Sequence, residues 1–129
     1  MGIPATFVKD TLMCAVSASM LNENSLVIAI SSTGSTKEII DAVELAKNNN
    51  VPIVGITCNK FSPLAELADH VLLTAASGIT ISDRGNEIRL SQLFITDALC
   101  SYIRSVIDKS GQNIYYKLQK IISSHSIVD

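Results

Sequence analysis

The chain has 129 residues, 47% of them hydrophobic and 17% charged, with ten Lys+Arg against twelve Asp+Glu for a net charge of −2. That composition excludes general disorder, and a one-domain length lets the fold bury on the order of two-thirds of its unfolded surface. The slightly acidic balance argues against a nucleic-acid-binding face, and no apolar run reaches the roughly 18–20 residues of a membrane span, so a single cytoplasmic domain over residues 1–129 is expected.

Met1 to Thr6 fits the loose N-myristoylation pattern, which short sequences match by chance. Residues 11–21 faintly resemble a signal-peptide core, but Lys9 and Asp10 spoil the basic leader, and Leu12, Met13, Val16 and Met20 fall on one helical face. Residues 3–8 read as a short strand, and Asp10 then caps a helix to about Leu21. Residues 25–30 are almost continuously apolar, as in a parallel strand covered on both faces. A helix follows over 36–47, its buried stripe made of Ile39, Ile40, Val43 and Ala46, and Asn48-Asn49-Asn50 stops it.

Residues 51–57 form the next strand, with Pro52 tolerated at its start. Ser62 and Pro63 supply an N-cap and a first-turn proline for a short helix to Ala68. Residues 70–74 read as a fourth strand, 76–86 as a polar loop, 88–107 as a long amphipathic helix and 113–123 as a last helix after Ser110-Gly111. Strands alternating with helices in this rhythm predict an α/β fold, a three-layer α/β/α sandwich on a mainly parallel sheet of about four strands.

Three cysteines, Cys14, Cys58 and Cys100, contain no CxxC pair and fit neither a disulfide framework nor a zinc site. Reduced thiols and no metal or cofactor are expected.

In open parallel sheets, ligands bind beyond the carboxyl ends of the strands, at helix N-termini. The turn leaving the strand at 25–30 is Ser31-Ser32-Thr33-Gly34-Ser35-Thr36, with five hydroxyls and one glycine in six residues. Each hydroxyl can donate a hydrogen bond, Gly34 lets the backbone close around an anion, and the following helix adds free N–H groups and its positive dipole end. One capping hydroxyl would be unremarkable; five exceed what capping needs, so a phosphate is the expected guest. No GxxxxGK[ST] motif is present, which sets nucleotide hydrolysis aside.

Residues 26–36, 51–57, Ser62-Pro63-Leu64-Ala65 and Ala68-Asp69 resemble, in order, the motifs of the sugar isomerase (SIS) domain. More narrowly they resemble the effector domain of RpiR-type transcriptional regulators, as does Arg89-Leu90-Ser91-Gln92-Leu93 followed by Asp97-Ala98-Leu99. The resemblance covers most of residues 2–105, leaving 106–129 as a C-terminal helical extension. It implies phosphosugar binding, with Ser31, Thr33 and Thr36 at the phosphate. Thr33 replaces the commoner serine, and Ser35 stands where many members carry glutamate.

This chain starts at the segment resembling the family's second strand. The resemblance therefore implies that the first strand–turn–helix unit and the regulators' helix-turn-helix domain are lacking. In the family the parallel order is 2-1-3-4-5, so the absent strand is central. Residues 3–8 are then expected either to pair with 25–30 or to be displaced, or a second copy of the chain covers the edge in a homodimer.

Elsewhere the candidates for chemistry are sparse. Arg89 could pair with a phosphate and joins the hydroxyl loop as a candidate binding residue. His70 opens a strand, at the end opposite the ligand loops, and reads as structural; His125 sits in a polar tail. Glu38 complements the helix dipole, while Lys60 and Asp97 read as surface groups. With no convincing acid–base pair, the favoured reading is a phosphosugar-sensing effector domain of a regulator of sugar metabolism rather than an enzyme. The alternatives are an aldose–ketose sugar-phosphate isomerase and a degenerate fragment serving dimerisation alone.

Overall fold

The computed structural model describes residues 3–74 and 85–109. The chain divides into two compact units, Phe7–Ile95 and one made of Met1–Thr6 with Thr96–Asp129. The expected last helix at 113–123, most of the loop at 76–86, and His125 lie outside the described residues.

Helix α1 (Thr11–Ser19) begins where expected, with the Asp10 carboxylate accepting from the Met13 N–H at 3.0 Å. Strand β1 (Val27–Ile30) leads through the hydroxyl-rich turn into α2 (Lys37–Asn48). Helix α2 ends as its sequence demands: Asn50 adopts a left-handed φ of 56°, a conformation asparagine tolerates better than most residues. Strand β2 (Ile53–Thr57) follows, then α3 (Pro63–Leu67), whose Ser62 cap accepts from Ala65 N–H and whose first residue is the proline. Strand β3 (His70–Leu73) precedes α4 (Gly85–Lys109).

The sheet is parallel with order β1-β2-β3, Val27 facing Ile53 and Val54 facing His70 in the ladder. It has three strands among the described residues, where about four were expected. The difference lies at residues 3–8, which form no strand: they join no ladder among the described residues, and Phe7 is 86% exposed. A strand exists only through its ladder, so an alternating apolar pattern without a partner edge stays irregular. Among the described residues β1 pairs with β2 alone.

The core follows from the pleat. Ala29 and Ile53 point to one face of the sheet, where Val43 and Ala46 of α2, Ala18 of α1 and Leu64 of α3 close over them. Gly55 lies in the same row; a methyl there would come within 3.1 Å of Ala68 Cβ, so its absence lets α3 sit close on β2. The other face is unevenly covered, with Ile56 fully buried but Ile28 and Ile30 exposed. The apolar face of α1 is also open, with Leu12, Met13, Val16 and Met20 exposed, so α1 is held through Ala18 and Leu21 instead.

Two polar devices join the elements. The Asp69 carboxylate accepts from the Ile53 N–H at 2.8 Å while the Asp69 N–H donates to Ile53 O at 3.0 Å, tying the starts of β2 and β3. Gly34 turns the chain with φ +67°, its α-carbon so close to α3 that a Cβ would lie 2.0 Å from Ser62 Oγ.

Both devices can be tested by chemical denaturation. Asp69→Ala strands a buried N–H and is expected to cost about 2 kcal/mol, whereas Asp69→Asn, which keeps an acceptor, loses less than about 1 kcal/mol. Equal losses would show that the bond to Ile53 is not the stabilising contact. Gly34→Ala adds an unfavourable φ and an overlap, together about 2–4 kcal/mol, part of which Ser62→Gly in the same chain should return. No recovery in the double variant would rule out the Ser62 overlap as the cause.

Candidate functional site

The hydroxyl turn lies at the carboxyl end of the sheet, where the ladder continues one step past each strand. Ser31 N–H donates to Ile56 O at 3.0 Å, Cys58 N–H to Ser32 O at 3.0 Å, and Thr74 N–H to Thr57 O at 2.9 Å. Parallel strands that end together thus bring Ser31, Ser32, Thr57 and Thr74 to one rim. Ser31, Thr57, Ser62 and Thr74 are all buried.

Each expected site residue has a definite place. Ser31 Oγ accepts from Gly34 N–H at 3.0 Å and lies 3.0 Å from Thr36 Oγ1. If Ser31 donates its proton to Thr36, the Thr36 hydroxyl is left to donate outward, and each bond in that chain polarises the next. Thr36 occupies the N-cap of α2 in an extended conformation but makes no side-chain capping bond. Ile39 N–H and Ile40 N–H donate to the Thr36 carbonyl at 3.0 Å, so only the Lys37 and Glu38 amides of the first turn gain no bond from Thr36.

Thr33 is half-buried and its Oγ1 accepts from Ser35 N–H at 3.3 Å; Ser35 itself is exposed. Gly34 is bonded on both sides of its peptide. Its N–H donates to Ser31 and its carbonyl accepts from Leu64 N–H at 3.0 Å, which brings the turn close against α3.

Ser32 is engaged by the protein on both sides. Its carbonyl accepts from Cys58 N–H and from Thr57 Oγ1 at 3.2 Å, with Cys58 Sγ also against it. Its hydroxyl accepts from Gln92 Nε2 at 3.2 Å. Gln92, on α4, was not singled out by the sequence reading; the signal was its position three residues after Arg89, on neighbouring positions of the helix surface. Ile88, four residues before Gln92, is buried, and Arg89 is exposed on the flank of that face. Thr57 and Ser62 were likewise read only as strand end and cap, yet both pack against the turn.

His70 is exposed at the start of β3, the end of the sheet away from this rim. Among the described residues the buried Thr74 hydroxyl has no hydrogen-bond partner, an unspent polar group at the carboxyl end of the sheet. Among the described residues no cluster of His, Cys, Asp or Glu could hold a metal ion, the three cysteines are free, and no helix is long and apolar enough to cross a membrane. The arrangement places neutral hydroxyls beside the N-terminal end of α2.

Comparison with known proteins agrees with this geometry. The model of the SIS domain matches residues 2–102. The HTH-type transcriptional regulator RpiR of Escherichia coli K12 is 34% identical over 97 residues, 75% of this chain and 33% of that protein. An HTH-type regulator of Clostridium perfringens is 33% identical over 99 residues, 76% of this chain and 35% of its own length. The chain thus spans about a third of the length of these curated relatives. Among solved structures, the Vibrio vulnificus NanR protein complexed with ManNAc-6P superposes with a TM-score of 0.81 at 27% identity, over 97% of this chain and 47% of that one. A Bacteroides fragilis protein assigned as a phosphosugar isomerase involved in capsule formation gives a TM-score of 0.68 at 28% identity, over 88% of this chain and 60% of that one. With the hydroxyl turn, the parallel sheet and a family match over most of its length, the chain belongs to the SIS domain family.

Proposed function

We propose that this chain is a phosphosugar-binding effector domain of a cytoplasmic transcriptional regulator of sugar metabolism. The observation that carries the reading is Thr36: its hydroxyl takes no part in capping α2 and instead meets Ser31, beside the Lys37 and Glu38 amides that its carbonyl does not bind. A phosphate would supply the missing cap and accept from Thr33, Thr36 and the helix amides, with Arg89 as a flanking cation. The similarity to NanR, which is complexed with ManNAc-6P, supports a sugar phosphate as the guest. Isomerisation would need an acid–base pair at the sugar, and the rim described above presents hydroxyls and amides instead. On this reading the domain senses its ligand and leaves DNA contact to another part of the regulator.

Calorimetry with a panel of phosphorylated sugars, ManNAc-6P included, tests the proposal. Hydrogen bonds to a charged group contribute about 1.5–3 kcal/mol each, so Thr33→Ala/Thr36→Ala should weaken binding by 100-fold or more on the order expected for two such bonds. Equal affinity of parent and double variant would remove the site assignment, and turnover of a panel member would favour the isomerase.

Self-association is part of the same proposal. The free edge of β1, with Ile28 and Ile30 exposed, and the exposed Leu90, Leu93 and Phe94 of α4 are apolar surface that a second copy can cover. Sedimentation over a concentration series should give the mass of two chains, and Phe94→Asp should shift the balance toward one. A single-chain mass at every concentration would refute the homodimer.

A further inference from the structure

The hydroxyl turn is fastened at three points. Two of them come from the neighbouring β2–α3 crossover: the Ser32 carbonyl bonded to Thr57 and Cys58, and Gly34 bonded to Leu64 beside Ser62. The third comes from 60 residues further along the chain, where Gln92 of α4 donates to Ser32 Oγ. Ser32 lies between Ser31 and Thr33, so whatever fixes its side chain fixes the peptide planes that aim both neighbouring hydroxyls.

We infer that Gln92 is a positioning residue: its carboxamide holds the Ser32 hydroxyl away from the guest and so keeps the turn in its anion-receiving shape. The inference rests on the proposed anion site for its purpose, though not for its geometry. Gln92 is half-buried, and Ile88, one turn earlier, is 5% exposed, so this part of α4 is seated rather than swinging freely. The carboxamide presents a donor that Ser32 Oγ accepts, while the Ser32 carbonyl is held separately by Cys58 N–H and Thr57 Oγ1. Because the bond joins two elements, linkage makes its effect reciprocal: a turn ordered by Gln92 binds an anion better, and an anion in the turn steadies the start of α4.

The experiment uses the whole chain and two variants, Gln92→Ala and Gln92→Met, the second keeping side-chain length without the donor. Hydrogen exchange without ligand should show the amides of residues 32–35 exchanging several-fold faster in both variants. In a Ser32→Ala background the Gln92 substitutions should add nothing, since the bond is already gone. Inorganic phosphate, against chloride at matched ionic strength, should bind both variants about five-fold more weakly than the parent and should slow exchange at residues 88–95 in the parent alone. Unchanged ligand-free exchange at 32–35 in Gln92→Met overturns the inference, whatever phosphate does. Faster exchange there in a protein whose parent binds neither phosphate nor any panel sugar upholds the positioning role and overturns the proposed function instead.

Discussion

Everything at the ligand end of this domain depends on the contact between two crossover turns, Gly34 against Ser62. A side chain at position 34 would occupy the space of the Ser62 hydroxymethyl, and the missing Cβ is what allows Leu64 N–H to reach Gly34 O. The same Ser62 caps α3 through Ala65 N–H, so the residue that receives the first turn also starts the second helix. One close approach thereby sets the height of the hydroxyl turn on the sheet and the start of α3. The Ser32 carbonyl, bonded to the end of β2, fixes its rotation.

On the proposed reading, the consequence is a neutral site built in advance. The hydroxyls of Ser31 and Thr36 already meet at 3.0 Å, and Gly34 N–H already donates to Ser31, so a guest would not have to order them from solution. Preorganised dipoles cost little reorganisation when charge arrives, which suits a chain whose overall balance is slightly negative and could not draw anions by net charge. The role left to flanking cations is selection among anions rather than creation of the site. Hydroxyls outnumber what a helix cap requires, and Ser32 and Ser62 are among those that help hold the turn.

Stability is distributed unevenly around that site. One face of the sheet is closed by α1, α2 and α3 around Ala29 and Ile53, while Ile28 and Ile30 on the other face of β1 are open. An edge strand with apolar, uncharged neighbours is a place where proteins pair, and nothing in the sequence of β1 guards it, since residues 25–30 hold no charge or proline. The firmest part of the unit is therefore the β2–α3–β3 side, where the Asp69 clasp and the Gly55 close packing lie.

Local chemistry determined much of this protein from sequence alone. Asp10, Ser62-Pro63 and the asparagine run set helix boundaries because caps and breakers act within a few residues, and the stripe of Ile39, Ile40, Val43 and Ala46 chose the inner face of α2 by period. The hydroxyl turn was legible for the same reason: its composition and its place after an apolar strand are both local facts. The strand expected at residues 3–8 was not decided locally, because an alternating pattern becomes a strand only if a partner edge accepts it, and none does. Nor could spacing say which hydroxyls serve the turn and which face a guest. Ser32 meets Gln92, 60 residues away, and Gly34 packs on Ser62, because close packing and long-range hydrogen bonds exist only once the crossovers have brought distant residues together.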